Sequence, residues 1–151
     1  MNENEINVRT AQVVDAAMKV HSTLGPGLLE SAYEACLAYE LRKRGLRVET
    51  QRLLPVMYDG VEVELAYRLD VLVDDEVIVE LKTVAKLLPI HEAQLLSYLK
   101  LSRHRVGLLI NFREVHLKDG IKRMVHGLRV EARSKALWFP LRSSAPLRPL
   151  R

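Results

Sequence analysis

The chain has 151 residues, 48% of them hydrophobic, so it can bury the core of one domain without disulfides or a structural metal. Its single cysteine, Cys36, excludes an intramolecular disulfide, and no Cys/His grouping has the spacing of a zinc site. The acidic N-terminus is unlike a signal peptide, and no apolar run reaches the roughly 20 residues of a membrane helix. We therefore expect a soluble, cytoplasmic domain without a membrane partner.

The net charge of +4 indicates a nucleic-acid partner only weakly, because the charge is unevenly distributed. Residues 128–151 hold six Lys or Arg and one Glu, so the remaining 17 basic residues nearly balance the remaining 18 acidic ones. Two local basic clusters remain, at Arg42–Arg47 and Lys100–Arg105. They could bind phosphate, or they could simply complement the dipoles of helix ends.

Two helices are predicted at the start of the chain. Apolar residues recur at helical spacing over Val8–Thr23, and the following Gly25-Pro26-Gly27 ends that helix. A second helix is predicted over Leu29–Arg44, with Gly45 as its stop.

After Gly45 the hydrophobic period becomes two, which predicts strands. An Asp59-Gly60 pair is a strong hairpin signal, and Asp74-Asp75 marks a second tight turn. Four short strands are predicted between residues 46 and 83: Leu54–Tyr58, Val61–Leu65, Ala66–Val73 and Glu76–Thr83.

The rest of the body is predicted to return to the sheet. A helix over Ile90–Leu101 precedes a buried strand over Arg105–Asn111, and a last hairpin joins Val115–Lys118 to Ile121–His126. The order α-α-β-β-β-β-α-β-β-β predicts an α/β fold with a mixed sheet and helices packed on it. We expect one domain over residues 1–126 and a basic, Pro- and Ser-containing tail over 127–151 that is partly disordered.

Three charged residues lie within apolar strands. Asp70 and Glu80 are ten apart in strands joined by a tight turn, so they can lie side by side. Strand alternation places Glu80 and Lys82 on one face. Buried charges are costly unless paired or metal-bound, and two carboxylates with water and phosphate suit Mg²⁺. The alternative is an ordinary ion pair between Lys82 and either carboxylate.

Two helical pairs add polar groups to this set. Gln94 and Tyr98 are four apart on the helix that follows Lys82, so they share a face that would reach the same site. Glu30 and Tyr33 share a face of the second helix, and Glu30 could supply a further carboxylate. Each pair alone is also compatible with ordinary helix surface.

These pieces together resemble a known family. Gly27-X-X-Glu30-X-X-Tyr33 looks like the signature of the GxxExxY family, and the resemblance covers roughly residues 8–126. That family belongs to the PD-(D/E)XK nuclease-like superfamily, whose members share an αβββαβ core. The superfamily's acidic and Glu/Asp-X-Lys positions match Asp70, Glu80 and Lys82, although Leu69 replaces the proline of the name. The Gln94-X-X-X-Tyr98 pattern also resembles RecB-like exonucleases.

The resemblance implies a restriction-endonuclease-like α/β fold and an Mg²⁺-dependent nuclease, with Mn²⁺ as a substitute, that hydrolyses DNA or RNA. It leaves open whether two copies form a homodimer. The alternative is a non-catalytic nucleic-acid- or protein-binding module that retains the fold. The implied metal ligands are Asp70, Glu80 and Glu30, and the implied catalytic set is Asp70, Glu80, Lys82, Gln94, Tyr98 and Glu30.

Overall fold

The computed structural model of the protein describes residues 1–127, which form a five-stranded sheet between two layers of helices. Its elements in chain order are α1 (Glu3–Leu24), α2 (Glu30–Lys43), β1 (Val48–Tyr58), β2 (Val61–Val73), β3 (Val77–Lys82), α3 (Pro89–Ser102), β4 (Val106–Asn111), a 3₁₀ helix (Leu117–Gly120) and β5 (Ile121–Val125).

The sheet has the order β1-β2-β3-β4-β5 and is mixed. β3 and β4 pair in parallel, and α3 makes the crossover between them, whereas all other neighbours are antiparallel. A parallel pair needs such a crossover because a tight turn can only join antiparallel strands, and the chain must return to the other end of the sheet before the next parallel strand begins. The predicted α/β class, with a mixed central sheet flanked by helices, is confirmed.

Each face of the sheet has its own apolar core. One core joins α1 and α2 to the sheet through residues such as Val13, Leu37 and Leu81. The other joins α3 to the sheet through residues such as Ile78 and Leu95. In β3, Leu81 thus points toward α1 and α2, so alternation turns its neighbours in the strand toward α3.

The predicted second and third helices match α2 and α3 to within one residue at each end. The first helix was predicted too short, because α1 begins at Glu3 rather than near Val8. Glu5 N donates to Asn2 Oδ1 at 2.8 Å, and Asn2 N donates to Glu5 Oε2 at 3.0 Å. This capping box satisfies orphan N–H groups of the first turn and starts the helix early.

The predicted break between Val61–Leu65 and Ala66–Val73 is wrong, since both segments belong to the single strand β2. No turn residue separates them, so the chain stays extended. The irregularity appears instead as a register shift, because Pro55 pairs with Ala66 while Met57 pairs with Glu62. The extra residues of β2 form a bulge opposite this part of β1.

The predicted hairpin from Val115–Lys118 to Ile121–His126 is also wrong. Leu117–Gly120 forms a 3₁₀ helix, and β5 pairs with β4 instead. Leu117 is buried in the same core as residues of α1. Gly120 fits closely as well, since a Cβ there would lie 2.8 Å from Asn111 O.

Apart from Gly127, the predicted tail lies outside the described residues. Within residues 1–127, no helix combines the length and the apolar character needed to cross a membrane.

A buried asparagine fastens the segment that follows β3. Asn111, at the end of β4, is fully buried. Its Nδ2 donates to Val84 O at 2.9 Å, and its Oδ1 accepts from Val84 N at 3.1 Å. Phe112 N donates to Lys82 O at 2.8 Å beside it. The side chain therefore imitates a further strand residue and fixes where the chain leaves Lys82 for α3.

We predict that Asn111→Ala lowers the free energy of unfolding by about 1–3 kcal/mol, because it leaves buried backbone groups of Val84 without partners. Urea denaturation measures the loss. The control Asn4→Ala alters an exposed residue of α1 and should change stability by less than about 0.5 kcal/mol. Equal stability of the two variants would contradict a fastening role for Asn111.

Candidate active site

Asp70 and Glu80 meet where β2 and β3 separate. Backbone pairing between these strands extends only as far as Val71 opposite Val79. Beyond it, Asp70 N donates to Glu80 Oε1 at 3.2 Å, and Leu81 N donates to Asp70 Oδ2 at 2.9 Å. Each carboxylate therefore accepts a backbone N–H from the opposite strand, and the two side chains lie next to each other.

The strand alternation of β2 breaks at the same place. Leu69 and Leu72 both contribute to the α3-side core, whereas Val71 and Val73 contribute to the core under α1 and α2. Two residues rather than one thus separate Leu69 from Leu72 on the same face. Such irregularities redirect a side chain and often occur beside functional sites. Here the irregularity directs the Asp70 carboxylate toward the backbone of β3.

The buried carboxyl group of Glu80 is the main electrostatic feature of this site. Its side chain is only 5% exposed. Burial, followed by the nearby charge of Asp70, raises the pKa of Glu80 to about 9, while Lys82 acts in the opposite direction. The folded chain therefore holds Glu80 protonated at neutral pH unless a cation stabilises the charged form.

Lys82 bonds to α3 rather than to the carboxylates. Its Nζ donates to Gln94 Oε1 at 3.2 Å, and within residues 1–127 it forms no ion pair with Asp70 or Glu80. The simple ion-pair alternative is therefore not what the structure contains. The ammonium is held beside the two carboxylates by an amide, which leaves it free to interact with another anion.

Tyr98 extends this arrangement along α3. It lies one turn after Gln94 on α3, and its ring lies 5.6 Å from that of Tyr67 in β2. Burial, followed by the charge of Glu80, raises the pKa of Tyr98 to about 12, so its hydroxyl stays protonated at neutral pH. Gln94 therefore lies beside Lys82, and Tyr98 lies near enough to Glu80 for its charge to affect the hydroxyl pKa.

Glu30 approaches the site from α2 without bonding to it. It is partly buried in the first turn of the helix. Burial, followed by the charge of Asp70, raises its pKa, and Lys82 opposes that effect. Glu30 is thus near enough for the charges of Asp70 and Lys82 to affect its pKa. Within the described residues, its carboxylate forms no hydrogen bond with either of them.

Tyr33 explains how the loop before α2 is held. Its ring stacks on Phe112 with 4.5 Å between centroids. Its hydroxyl donates to Gly25 O and accepts from Leu28 N at 3.0 Å. Of the Gly-X-X-Glu-X-X-Tyr pattern, the tyrosine therefore faces the core and fixes the loop, and this sets where α2 presents Glu30.

Two further polar residues, Gln51 and Glu34, lie at the site and were not predicted as part of it. Gln51 Nε2 donates to Glu34 Oε2 at 2.8 Å and lies 3.5 Å from Asp70 Oδ1. Burial raises the pKa of Glu34, with a further contribution from Asp70. Gln51 lies in a strand of otherwise ordinary composition, so no motif or periodicity identifies it.

The donor set fits Mg²⁺ through two carboxylates. Among the described residues, no three Asp, Glu, His or Cys side chains are grouped closely enough to hold a metal ion by themselves. Asp70 and Glu80 nevertheless form an adjacent pair of carboxyl groups, which a bound cation would favour in the ionised form. Mg²⁺ commonly takes one or two carboxylates from the protein and completes its shell with water and phosphate. Glu30 lies outside that pair.

The two basic clusters, for which phosphate binding and a structural role were both open, include arginines that make structural contacts. Arg44 bonds to Asp15 at 2.6 Å and to Glu40 at 2.9 Å, which joins α1 to α2. Arg105 bonds to Glu76 at 3.3 Å beside the β2–β3 turn. These contacts favour the structural interpretation of both clusters.

We predict that Glu80→Gln stabilises the metal-free protein in a pH-dependent way. A group whose pKa is raised by folding stabilises the fold below its unfolded pKa and loses that contribution as pH rises toward its folded pKa. The gain from Glu80→Gln should therefore be small at pH 5 and about 1–3 kcal/mol at pH 8.

Thermal melts in EDTA at both pH values measure this gain. The control Glu64→Gln changes an exposed residue of β2 and should show no such trend. A gain of the same size at pH 5 and pH 8 would show that the raised pKa of Glu80 does not contribute to the pH dependence of the protein's stability.

Comparison with known proteins agrees with this geometry. A family model described as the PD-(D/E)XK nuclease superfamily matches residues 7–124. The search of curated proteins and the search of solved structures gave no significant match. The matched region contains the whole sheet up to Met124, α2, α3 and every residue of the site described above. The chain therefore belongs to the PD-(D/E)XK nuclease superfamily.

Proposed function

We propose that this protein is a metal-dependent nuclease that hydrolyses phosphodiester bonds of DNA or RNA, with Mg²⁺ as its ion and Mn²⁺ as a substitute. Membership of the superfamily supports this activity. The observation that carries the proposal is the adjacency of Asp70 and Glu80, with Lys82 held by Gln94 at their side.

Each group has a chemical role in the proposal. Asp70 and Glu80 would hold the ion directly, and Glu30 would reach it from α2 through a metal-bound water molecule. Bound there, Mg²⁺ would polarise the scissile phosphate and lower the pKa of a water molecule. Without the cation, Glu80 would be protonated at neutral pH, which is consistent with its raised pKa.

Lys82 acts on the reacting phosphate in this mechanism. The oxygen of water forms a new bond to phosphorus and gives up a proton, the bond from phosphorus to the leaving sugar oxygen breaks, and that oxygen takes up a proton in exchange. The Lys82 ammonium stabilises the negative charge that develops on the phosphate oxygens. Gln94 accepts from Lys82 and thereby fixes the ammonium in place, and Tyr98 follows one turn later on the same face of α3.

The finer assignments follow from the same site. We assign the chain to the GxxExxY family, because Tyr33 fixes the loop that presents Glu30 near Asp70. Nucleic acid is the proposed partner. A reducing cytoplasm is the proposed compartment, since the single cysteine, Cys36, is free.

The first test is cleavage of a panel of labelled single- and double-stranded DNA and RNA. We expect cleavage with Mg²⁺ or Mn²⁺, none with EDTA, and loss of activity in Asp70→Asn, which keeps the side-chain size but removes a charge that holds a hard cation. The control Asp59→Asn alters an exposed aspartate of the β1–β2 turn and should retain full activity.

Full activity of Asp70→Asn would contradict the assigned site. Absence of cleavage by the wild-type chain across the panel, with nucleic-acid binding retained, would support the non-catalytic binding module instead.

The second test separates Lys82 from the metal ligands. Lys82→Ala should lower turnover by about 10²-fold or more, as expected for loss of one electrostatic stabiliser, while Mn²⁺ affinity is maintained. The control Lys86→Ala removes an exposed lysine of the loop after β3 and should leave turnover unchanged. Single-turnover kinetics and Mn²⁺ titration provide the measurements. A Lys82→Ala protein with normal turnover would exclude Lys82 from the reaction.

A further inference from the structure

Gln51 has a backbone conformation that is unusual for its position. Among residues 1–127, five residues other than glycine have positive φ: Gln51, Asp59, Asp74, Asp75 and Arg103. The other four lie in tight turns or at the C-terminal cap of α3, where left-handed backbone is ordinary. Gln51 lies inside β1 with φ of +52°. A left-handed glutamine in a strand is strained and persists only where its surroundings enforce it.

The register places this strained residue opposite Asp70. Thr50 pairs with Val71, and Arg52 pairs with Leu69, so Gln51 and Asp70 face each other between these two pairs. The alternation of β2 breaks at Asp70 itself. Both strands are therefore irregular at one level of the sheet, and that level holds the acidic pair.

The side chain of Gln51 joins two carboxylates that come from different elements. Its Nε2 lies 2.8 Å from Glu34 Oε2 of α2 and 3.5 Å from Asp70 Oδ1 of β2. The other oxygen of Asp70, Oδ2, accepts from Leu81 N at 2.9 Å. Gln51 thus faces the one Asp70 oxygen that the backbone of β3 does not hold.

We infer that Gln51 is a positioning residue for the metal site: its amide orients Asp70 Oδ1 and keeps Glu34 beside it, and the strained backbone is retained because it delivers the amide there. This inference rests on the proposed function. A donor amide between two carboxylates also allows them to approach closely without a direct clash of charge. The competing interpretation is that Gln51 only bends the β1–β2 hairpin.

Gln51→Gly separates these interpretations, because glycine accepts positive φ without strain yet removes the amide. We expect this variant to melt at or above the wild-type temperature, while its dissociation constant for Mn²⁺ rises about tenfold or more, as for lost outer partners of metal ligands. Gln51→Ala should show the same loss of affinity with lower stability. The control Asp59→Gly relieves the same backbone conformation in a distant turn and should bind Mn²⁺ like the wild type.

A second measurement tests the hydrogen bond from Gln51 to Glu34 in the absence of metal. In EDTA, the melting-temperature shifts of Gln51→Ala and Glu34→Ala should not add in the double variant, because each removes the same hydrogen bond. Additive shifts would show that Gln51 and Glu34 are not coupled and would overturn the inference that Gln51 holds Glu34 in place.

The Mn²⁺ titrations distinguish failure of the inference from failure of the proposed function. If Gln51→Gly binds Mn²⁺ as tightly as the wild type does, the positioning role is overturned and the nuclease proposal stands. If the wild-type chain shows no Mn²⁺ binding that Asp70→Asn abolishes, the proposed function fails and the positioning role fails with it.

Discussion

The confinement of two carboxylates to one gap in the sheet is the constraint on which the rest of this structure depends. Asp70 and Glu80 each accept a backbone N–H from the opposite strand, which keeps the two carboxyl groups next to each other. The fold thereby places ionisable groups where their joint ionisation is unfavourable, since burial of unpaired charge is costly and raises the pKa of Glu80. Natural proteins accept such a cost mainly where a site requires it.

The surrounding elements can be understood as supports for that gap. Tyr33 holds the loop before α2, and Asn111 holds the segment after β3. In both places a side chain forms hydrogen bonds with backbone N–H and C=O groups, because the chain there lies outside helices and strands and these groups lack their regular partners. The site therefore lies where the strands end, and its precision comes from a small number of buried polar contacts around it.

Much of the fold could be predicted from sequence because its signals are local. Apolar spacing defines α2 and α3, and the acid pair follows from a ten-residue spacing across a tight turn. The 3₁₀ helix could not be found, because the Asp119-Gly120 signal marks a turn without revealing which strand pairs with β5. Gln51 was missed for a related reason, since its φ is set by tertiary surroundings rather than by neighbours in the chain.

The position of β1 has a consequence for association between copies. It is an edge strand of eleven residues, and several apolar side chains near the hairpin are exposed, among them Leu53, Met57, Tyr58, Val61 and Leu65. An extended apolar edge would normally act as a template for strands of other molecules. Pro55, in the middle of β1, offers no N–H to an incoming strand, and the register shift beside it distorts the edge. The same interruption that spoils the pairing within this hairpin therefore makes this edge of the described sheet a poorer template for strands of other molecules.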